Sequence, residues 1–261
     1  MLVFLRCAVI ILNLCLWLPS VFCAPCCVDI EEAGSKYLSA NQYNEFIGFL
    51  NNFEDKDKIN QPCLDYYKAN TRYLQLKYLE EKQSWDDYFA NGNTYREQLE
   101  QNARKAISQT DNSNCLRPKS RLLLWQFHRG QQDALAQAAL DDLIADVNLY
   151  AKEAGDPELI KNIADNLLAY EEKTKARQIY KLYVGQLTAG KISDSEIKSV
   201  AATFYKEGNL ELAQAVYDIY IEKASKTLEP DSLESKNIHL EKFIKELFEI
   251  ASLFVYKPQG D

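Results

Sequence analysis

Apolar residues recur every three to four positions along most of the chain, which is the spacing of one face of an amphipathic helix. One clear case begins at Pro62 and extends to about Glu81, with Leu64, Tyr67 and Tyr78 among its apolar positions. The nine Gly and seven Pro are few for 261 residues, which favours long helices over a turn-rich sandwich or barrel. The pattern predicts an all-α protein.

Polar stretches and helix-breaking residues divide this pattern into blocks. The predicted order is a cysteine-containing extended leader at 24–34, helix pairs at 35–109, a linker at 110–118, a degenerate helix pair at 119–156, two repeats at 157–229 and a capping helix at 230–256. A turn is expected near Asn41, and Asn91-Gly92-Asn93 is expected to interrupt the helix that starts at Trp85. Gly155-Asp156-Pro157 combines a helix stop with a new start.

Two segments between residues 160 and 220 repeat each other at a fixed offset of 37 residues. Ile160, Ile163, Ala164, Leu167, Ala176, Tyr180 and Tyr183 recur in residue class as Ile197, Val200, Ala201, Phe204, Ala213, Tyr217 and Tyr220. Self-similarity at such a period is typical of stacked helical hairpins. Small residues at matched positions allow two helices to approach closely where they cross.

The second unit reads I-x-x-V-A-x-x-F-x-x-x-G-x-x-x-x-A-x-x-x-Y-x-x-Y from 197 to 220 and resembles the tetratricopeptide repeat family. The resemblance implies antiparallel helix pairs stacked as a superhelix, or α-solenoid, that binds a protein or peptide on its concave face. Matching the motif puts these residues on that face: Lys161, Asp165, Leu168, Lys198, Tyr205 and Lys206. A family-type carboxylate clamp would need Asn where this chain has Asp165 and Ala202.

The N-terminus has the features of an export signal. Arg6 precedes a short apolar stretch that Pro19 and Ser20 end, and cleavage between Cys23 and Ala24 would follow neutral residues. The apolar stretch is short for a membrane span, which requires about 20 residues. An uncleaved anchor is the alternative. The prediction is a secreted or periplasmic protein whose mature chain does not span a membrane.

Four cysteines lie beyond the predicted cleavage site: Cys26, Cys27, Cys63 and Cys115. An even number in an exported chain is compatible with disulfides, and either Cys26 or Cys27 could reach Cys63 or Cys115. A lipid anchor is the less favoured alternative, because no early cysteine follows the small residue that a lipobox requires.

Charge narrows the choice of partner. The net charge is −8, and removal of 1–23, whose only charged residue is Arg6, changes it to −9. An acidic chain without a basic block is a poor match for nucleic acid.

Catalytic motifs are absent from the sequence, and no cofactor or metal site is predicted. The leading prediction is therefore a non-catalytic interaction or scaffolding module. The alternative is an exported enzyme with an unrecognised thiol-dependent site, for which Cys115 with His128 is the available pair.

Overall fold

The computed structural model describes residues 27–53, 61–129, 133–153, 155–186, 193–206, 208–226 and 244–252, all of which are helical or lie in short connections. The helices are α1 (Val28–Ser39), α2 (Tyr43–Asn52), α3 (Gln61–Glu81), α4 (Trp85–Ser108), α5 (Leu116–His128), α6 (Asp133–Glu153), α7 (Pro157–Ala169), α8 (Lys173–Gln186), α9 (Asp194–Lys206) and α10 (Leu210–Lys226). Residues 244–252 are a further helical segment, α11. Within these ranges there is no strand, so the all-α prediction is confirmed.

Local sequence explains several of the helix boundaries. Asn41 has a φ of 57°, so the turn between α1 and α2 lies where it was expected. At the start of α7, the Asp156 carboxylate accepts a hydrogen bond from the Glu158 N–H, and Pro157 takes the first helical position. Gly155 precedes this cap with a φ of 47°, a conformation that favours glycine.

Three boundary predictions were wrong. The segment 24–34 is not an extended leader, because α1 begins at Val28 and buries Ile30, Gly34 and Leu38 at helical spacing along one face. Helix α4 passes through 91–93 without a break. The linker predicted at 110–118 ends early, because Pro118 lies in the first turn of α5, where its missing N–H costs no hydrogen bond.

The main core of the N-terminal part lies where α3, α4 and α5 meet. Leu99, Ala103 and Ile107 of α4 pack against residues of both neighbouring helices. The remaining buried members of this cluster are Ala69, Leu76, Leu123, Leu124 and Phe127. Tyr73, Tyr88 and Tyr95 close the edge of the cluster, with part of each ring still accessible to solvent.

A disulfide joins the beginning of α1 to α3. Cys27 and Cys63 are both buried, with their Cα atoms 5.9 Å apart. The Tyr67 hydroxyl donates a 2.8 Å hydrogen bond to Glu31 across the same two helices. Cys115 is disulfide-bonded too. The expectation that the first cysteines pin the N-terminal segment to the helical body is confirmed for Cys27, whereas Cys26 lies outside the described residues.

A buried carboxylate connects α5 to α6. Asp146 of α6 accepts a 2.7 Å hydrogen bond from Arg121 Nε. It also lies 3.0 Å from Nε of Arg117, which is one turn before Arg121 on α5. The Arg117 contact is an ion pair without hydrogen-bond geometry. Arg121 also reaches Asp142, at 2.7 Å, on the exposed side of α6.

Burial follows the repeat predicted in α7 to α10. All seven positions of the first unit are buried. In the second unit the equivalent residues are also buried, except Val200, which is partly exposed. The chain forms two compact units that divide within α8, between Ile179 and Tyr180. The matching burial supports a common register in the two segments. Helices α9 and α10 pack against each other as a pair, whereas a repeated pair and its stacking into a superhelix stay predictions.

Part of the predicted capping helix is present. Residues 244–252 are helical, and Glu246 accepts hydrogen bonds from Lys198 Nζ at 3.1 Å and from the Tyr220 hydroxyl. Segment α11 is thus attached to α9 and α10 within the second compact unit. The predicted signal peptide at 1–23 and the start of the predicted cap lie outside the described residues.

Candidate functional site

A cleft of about 410 Å³ opens beside the core cluster, between α3, α4 and α5. Six polar residues of its wall define what we call the cationic cleft: Tyr73, Lys77, Glu80, Tyr88, Arg96 and Arg129. The first three lie four and three residues apart on one face of α3, and Tyr88 and Arg96 lie eight apart on one face of α4. Arg129 follows directly after α5, where the backbone becomes extended.

Arg96 is held flat against α4 by its neighbours. Its guanidinium carbon lies 4.7 Å from the centre of the Tyr88 ring, and its Nη atoms donate hydrogen bonds to the Tyr88 oxygen and, at 3.1 Å, to Asn93. Gly92 gives this position room, because a Cβ there would lie 3.2 Å from Arg96 Nη1, close enough that the guanidinium would have to shift by a few tenths of an ångström. The glycine that was expected to break α4 instead gives Arg96 its space.

Tyr88 is a neutral donor inside the cleft. Its hydroxyl donates a 2.9 Å hydrogen bond to Glu80 Oε1. Burial raises the pKa of Tyr88, and the hydrogen bond to Glu80 raises it further. The hydroxyl therefore stays protonated and continues to fix the position of the Glu80 carboxylate at neutral pH.

Arg129 is held in a similar way on the other side. Its guanidinium carbon lies 4.5 Å from the centre of the Tyr170 ring, and Nη2 donates a 2.9 Å hydrogen bond to the Tyr170 carbonyl oxygen. Trp125 packs edge-on against the same ring at 5.5 Å. Burial raises the pKa of Tyr73 well above its ordinary value, and the electrostatic interaction and hydrogen bond with Tyr170 raise it further. Both arginines are thus oriented by aromatic rings and not by acids.

The charges of the cleft are unbalanced. Lys77, Arg96 and Arg129 form no salt bridge with any described residue, and Glu80 is the one carboxylate among the six defining residues. Arginines elsewhere in the described ranges do meet acids, such as Arg104 with Glu100 at 2.7 Å and Arg121 with Asp146. The six residues therefore carry a net positive charge, although the whole chain is acidic.

An exposed aromatic cluster borders the cleft. Trp85 and Phe89, one turn apart on α4, are 47% and 77% exposed. Both rings contact Tyr88, at centroid distances of 5.8 and 5.9 Å. Because Tyr88 also lines the cleft, these two rings form what we call the aromatic lip. Large exposed aromatic side chains beside a concave site are typical of a surface that binds another molecule.

The residues assigned to a concave face from the repeat motif lie on α7 and α9. Lys161 makes a 2.7 Å ion pair with Asp165 one turn later, and Leu168 is partly buried. Lys198 is bound to Glu246 and lies over the Tyr220 ring at 5.0 Å, so α11 already covers its ammonium group.

Tyr205 is half-buried and Lys206 is exposed. The set is divided between the two compact units, with residues 161–168 in the first and 198–206 in the second. The assignment of these six residues to one concave face stays a prediction.

The alternative thiol site is not formed. Cys115 and His128 lie at opposite ends of α5, which places them about 20 Å apart at 1.5 Å per residue. Cys115 is disulfide-bonded and has no free thiolate. His128 is buried 3.9 Å from Glu100, and this burial lowers its pKa. This pair therefore cannot act as nucleophile and base.

The described residues also hold no group of three or more His, Cys, Asp and Glu side chains that could bind a metal ion. Among the helices that the structure describes, none combines the length and the apolar character needed to cross a membrane. No family model, curated protein or solved structure matches the chain. The assignment of function depends on the geometry alone.

Proposed function

We propose that this chain is an exported, non-catalytic binding protein that holds a partner polypeptide at the cationic cleft and its aromatic lip. The observation that carries the proposal is the exposure of Trp85 and Phe89 directly beside a cleft with fixed polar groups. A partner residue packed on the lip would remove both rings from water, and each Å² of apolar surface buried contributes about 25 cal/mol.

A rigid scaffold favours this use of the cleft. The cleft lies against the buried α3–α4–α5 cluster, and its arginines are oriented by stacking on tyrosine rings. A site whose side chains are already ordered loses less entropy when a ligand binds. The groove predicted from the repeat motif on α7 and α9 is a weaker candidate for the binding site, because Lys161 and Lys198 are already paired with acids.

Export is supported by the predicted signal at 1–23 and by the disulfide between Cys27 and Cys63, since stable disulfides form in oxidising compartments. We expect the exported protein to begin at Ala24. Sequencing its N-terminus tests this: a chain that begins at Met1 or carries a lipid on a cysteine would contradict the export prediction.

Binding can be tested with a phage library of random dodecapeptides selected against the immobilised mature protein. Phe89→Ser removes the more exposed ring of the lip. Phe248→Ser is the matched control, because Phe248 is 73% exposed on α11, in the other compact unit. Wild type and Phe248→Ser should enrich the same peptides, and Phe89→Ser should not. No enrichment with wild type, or equal enrichment with Phe89→Ser, would refute the proposal.

A further inference from the structure

We infer that the cationic cleft recognises a carboxylate group of the bound polypeptide, an Asp or Glu side chain held between Arg96 and Arg129 with Lys77 beside them. The inference rests on the proposed function, and it adds what the partner must contain. It depends on the charge balance, the free donors and the shape of the cleft.

The charge balance indicates an anion. The chain has 38 acidic and 30 basic residues, so an unpaired cation has many possible intramolecular partners. Lys77, Arg96 and Arg129 nevertheless face one cleft without an ion pair in the described ranges, which leaves them to repel one another. An anion in the cleft would relieve this repulsion, and because the site is partly shielded from water the attraction would be stronger than at an open surface.

The donors are available and oriented. An arginine side chain has five N–H donors. Arg96 uses its donors on Asn93 and Tyr88, and Arg129 uses one on the Tyr170 carbonyl, so each keeps N–H groups for a ligand. The planar guanidinium matches the two oxygens of a carboxylate, and stacking on a tyrosine ring fixes its plane.

The proposed partner decides between anions. Glu80, held by Tyr88, leaves the six residues with a net charge of +2 when the three cations are counted against it. The attraction to the cations and the repulsion from Glu80 both grow with the charge of the ligand, so charge alone does not favour a carboxylate over a phosphate. A polypeptide carries its negative charges on Asp and Glu side chains. A peptide carboxylate is therefore the ligand that the proposed function supplies.

The aromatic lip specifies the surroundings of this acid. Because Tyr88 belongs to both the cleft and the lip, a peptide with its acid in the cleft places a neighbouring residue on Trp85 and Phe89. We expect that neighbour to be aromatic or aliphatic, since it would bury apolar surface against both rings.

The test uses a peptide enriched by wild type, made with a fluorescent label, together with a second peptide in which each Asp or Glu is replaced by Asn or Gln. Fluorescence polarisation measures Kd for wild type, Arg96→Gln and Arg104→Gln. Arg104 is the matched control, because it lies on the same helix and is already paired with Glu100. Arg129→Gln, on another wall of the cleft, serves as an independent second variant.

We expect the amide peptide and the Arg96→Gln and Arg129→Gln variants each to weaken binding at least tenfold, which is about 1.4 kcal/mol, and Arg104→Gln to have no effect. Equal affinity for the amide peptide, with binding still lost in Phe89→Ser, would overturn this inference and leave the proposed function intact. An equal loss in Arg104→Gln would show general charge attraction and overturn it too. If no peptide is enriched at all, both conclusions fail.

Discussion

The disulfide between Cys27 and Cys63 should be a major source of stability for the N-terminal compact unit. It closes a loop with a sequence separation of 36 residues. In the chain-entropy treatment, a cross-link of this span restricts the unfolded chain enough to stabilise the fold by about 4 kcal/mol. This is a large share of the total stability of a typical domain, about 5–15 kcal/mol.

The variant to make is Cys27→Ala with Cys63→Ala, because a single replacement would leave one thiol free to exchange with other disulfides. Both positions are buried, and alanine avoids an unpaired hydroxyl there. Urea unfolding followed by tryptophan fluorescence reports on this unit, since Trp85 and buried Trp125 both belong to it. The expected result is a free energy of unfolding lower by about 3–4 kcal/mol.

The control is Tyr67→Phe, which removes the hydrogen bond to Glu31 between the same two helices without breaking the cross-link. We expect it to cost about 1 kcal/mol. If the double variant loses no more than this control, the cross-link does not restrict the unfolded chain as argued. The role assigned to the disulfide would then be wrong.

Three further predictions concern single positions. Gly92→Ala should leave stability unchanged or raise it by up to about 1 kcal/mol, because alanine has the higher helix propensity. The same change should weaken peptide binding, because the new Cβ displaces Arg96. An unchanged Kd in fluorescence polarisation would contradict this. Ala213→Leu should destabilise the second unit by about 1–3 kcal/mol in thermal melts, because Ala213 is buried. Lys206 is exposed, so Lys206→Ala should not destabilise it. Equal melting temperatures for the two variants would refute the register that buries Ala213. Burial lowers the pKa of His128 below 6.5, so the unfolded chain takes up more protons there and the free energy of unfolding should fall as pH drops below 6.5. Urea titrations from pH 7 to 5 should show a weaker pH dependence for His128→Gln than for wild type. An identical dependence would exclude His128 as its source.

Much of the fold could be predicted from the sequence because its signals are local. Helix α3 ends at Glu81 as expected, and the Gly155-Asp156-Pro157 boundary depends only on the conformations of three adjacent residues. The burial of the repeat positions followed from spacing alone. The continuity of α4 could not be predicted, since a glycine inside a helix and one that ends it look alike until the packing of Arg96 is known.

The candidate site was missed for a similar reason. Lys77, Arg96 and Arg129 come from three segments far apart in sequence and form no motif. The local pattern pointed the other way, because Glu80 follows Lys77 and Glu100 follows Arg96 at the spacing that predicts an ion pair on a helix. Neither pair is formed in the described residues, since Glu100 binds Arg104 and Glu80 accepts from Tyr88. Lys198 is a further non-local case, because its partner Glu246 lies 48 residues away and no pattern within the repeat could indicate it.

The contact of Asp146 with Arg117 and Arg121 affects the axial register at which α5 packs against α6. The apolar residues between two helices can often interlock in more than one way, and a slide of one turn, about 5.4 Å, keeps similar faces together. A buried carboxylate is less tolerant, because a slide of one turn would keep only one of the two arginines beside it, and a longer slide would leave it uncompensated at a cost of several kcal/mol. Replacing these three residues with apolar ones would remove this preference and allow the two helices to slip past each other, and it would also remove the hydrogen bonds that Arg117 donates to the carbonyl oxygens of Ile107 and Thr110.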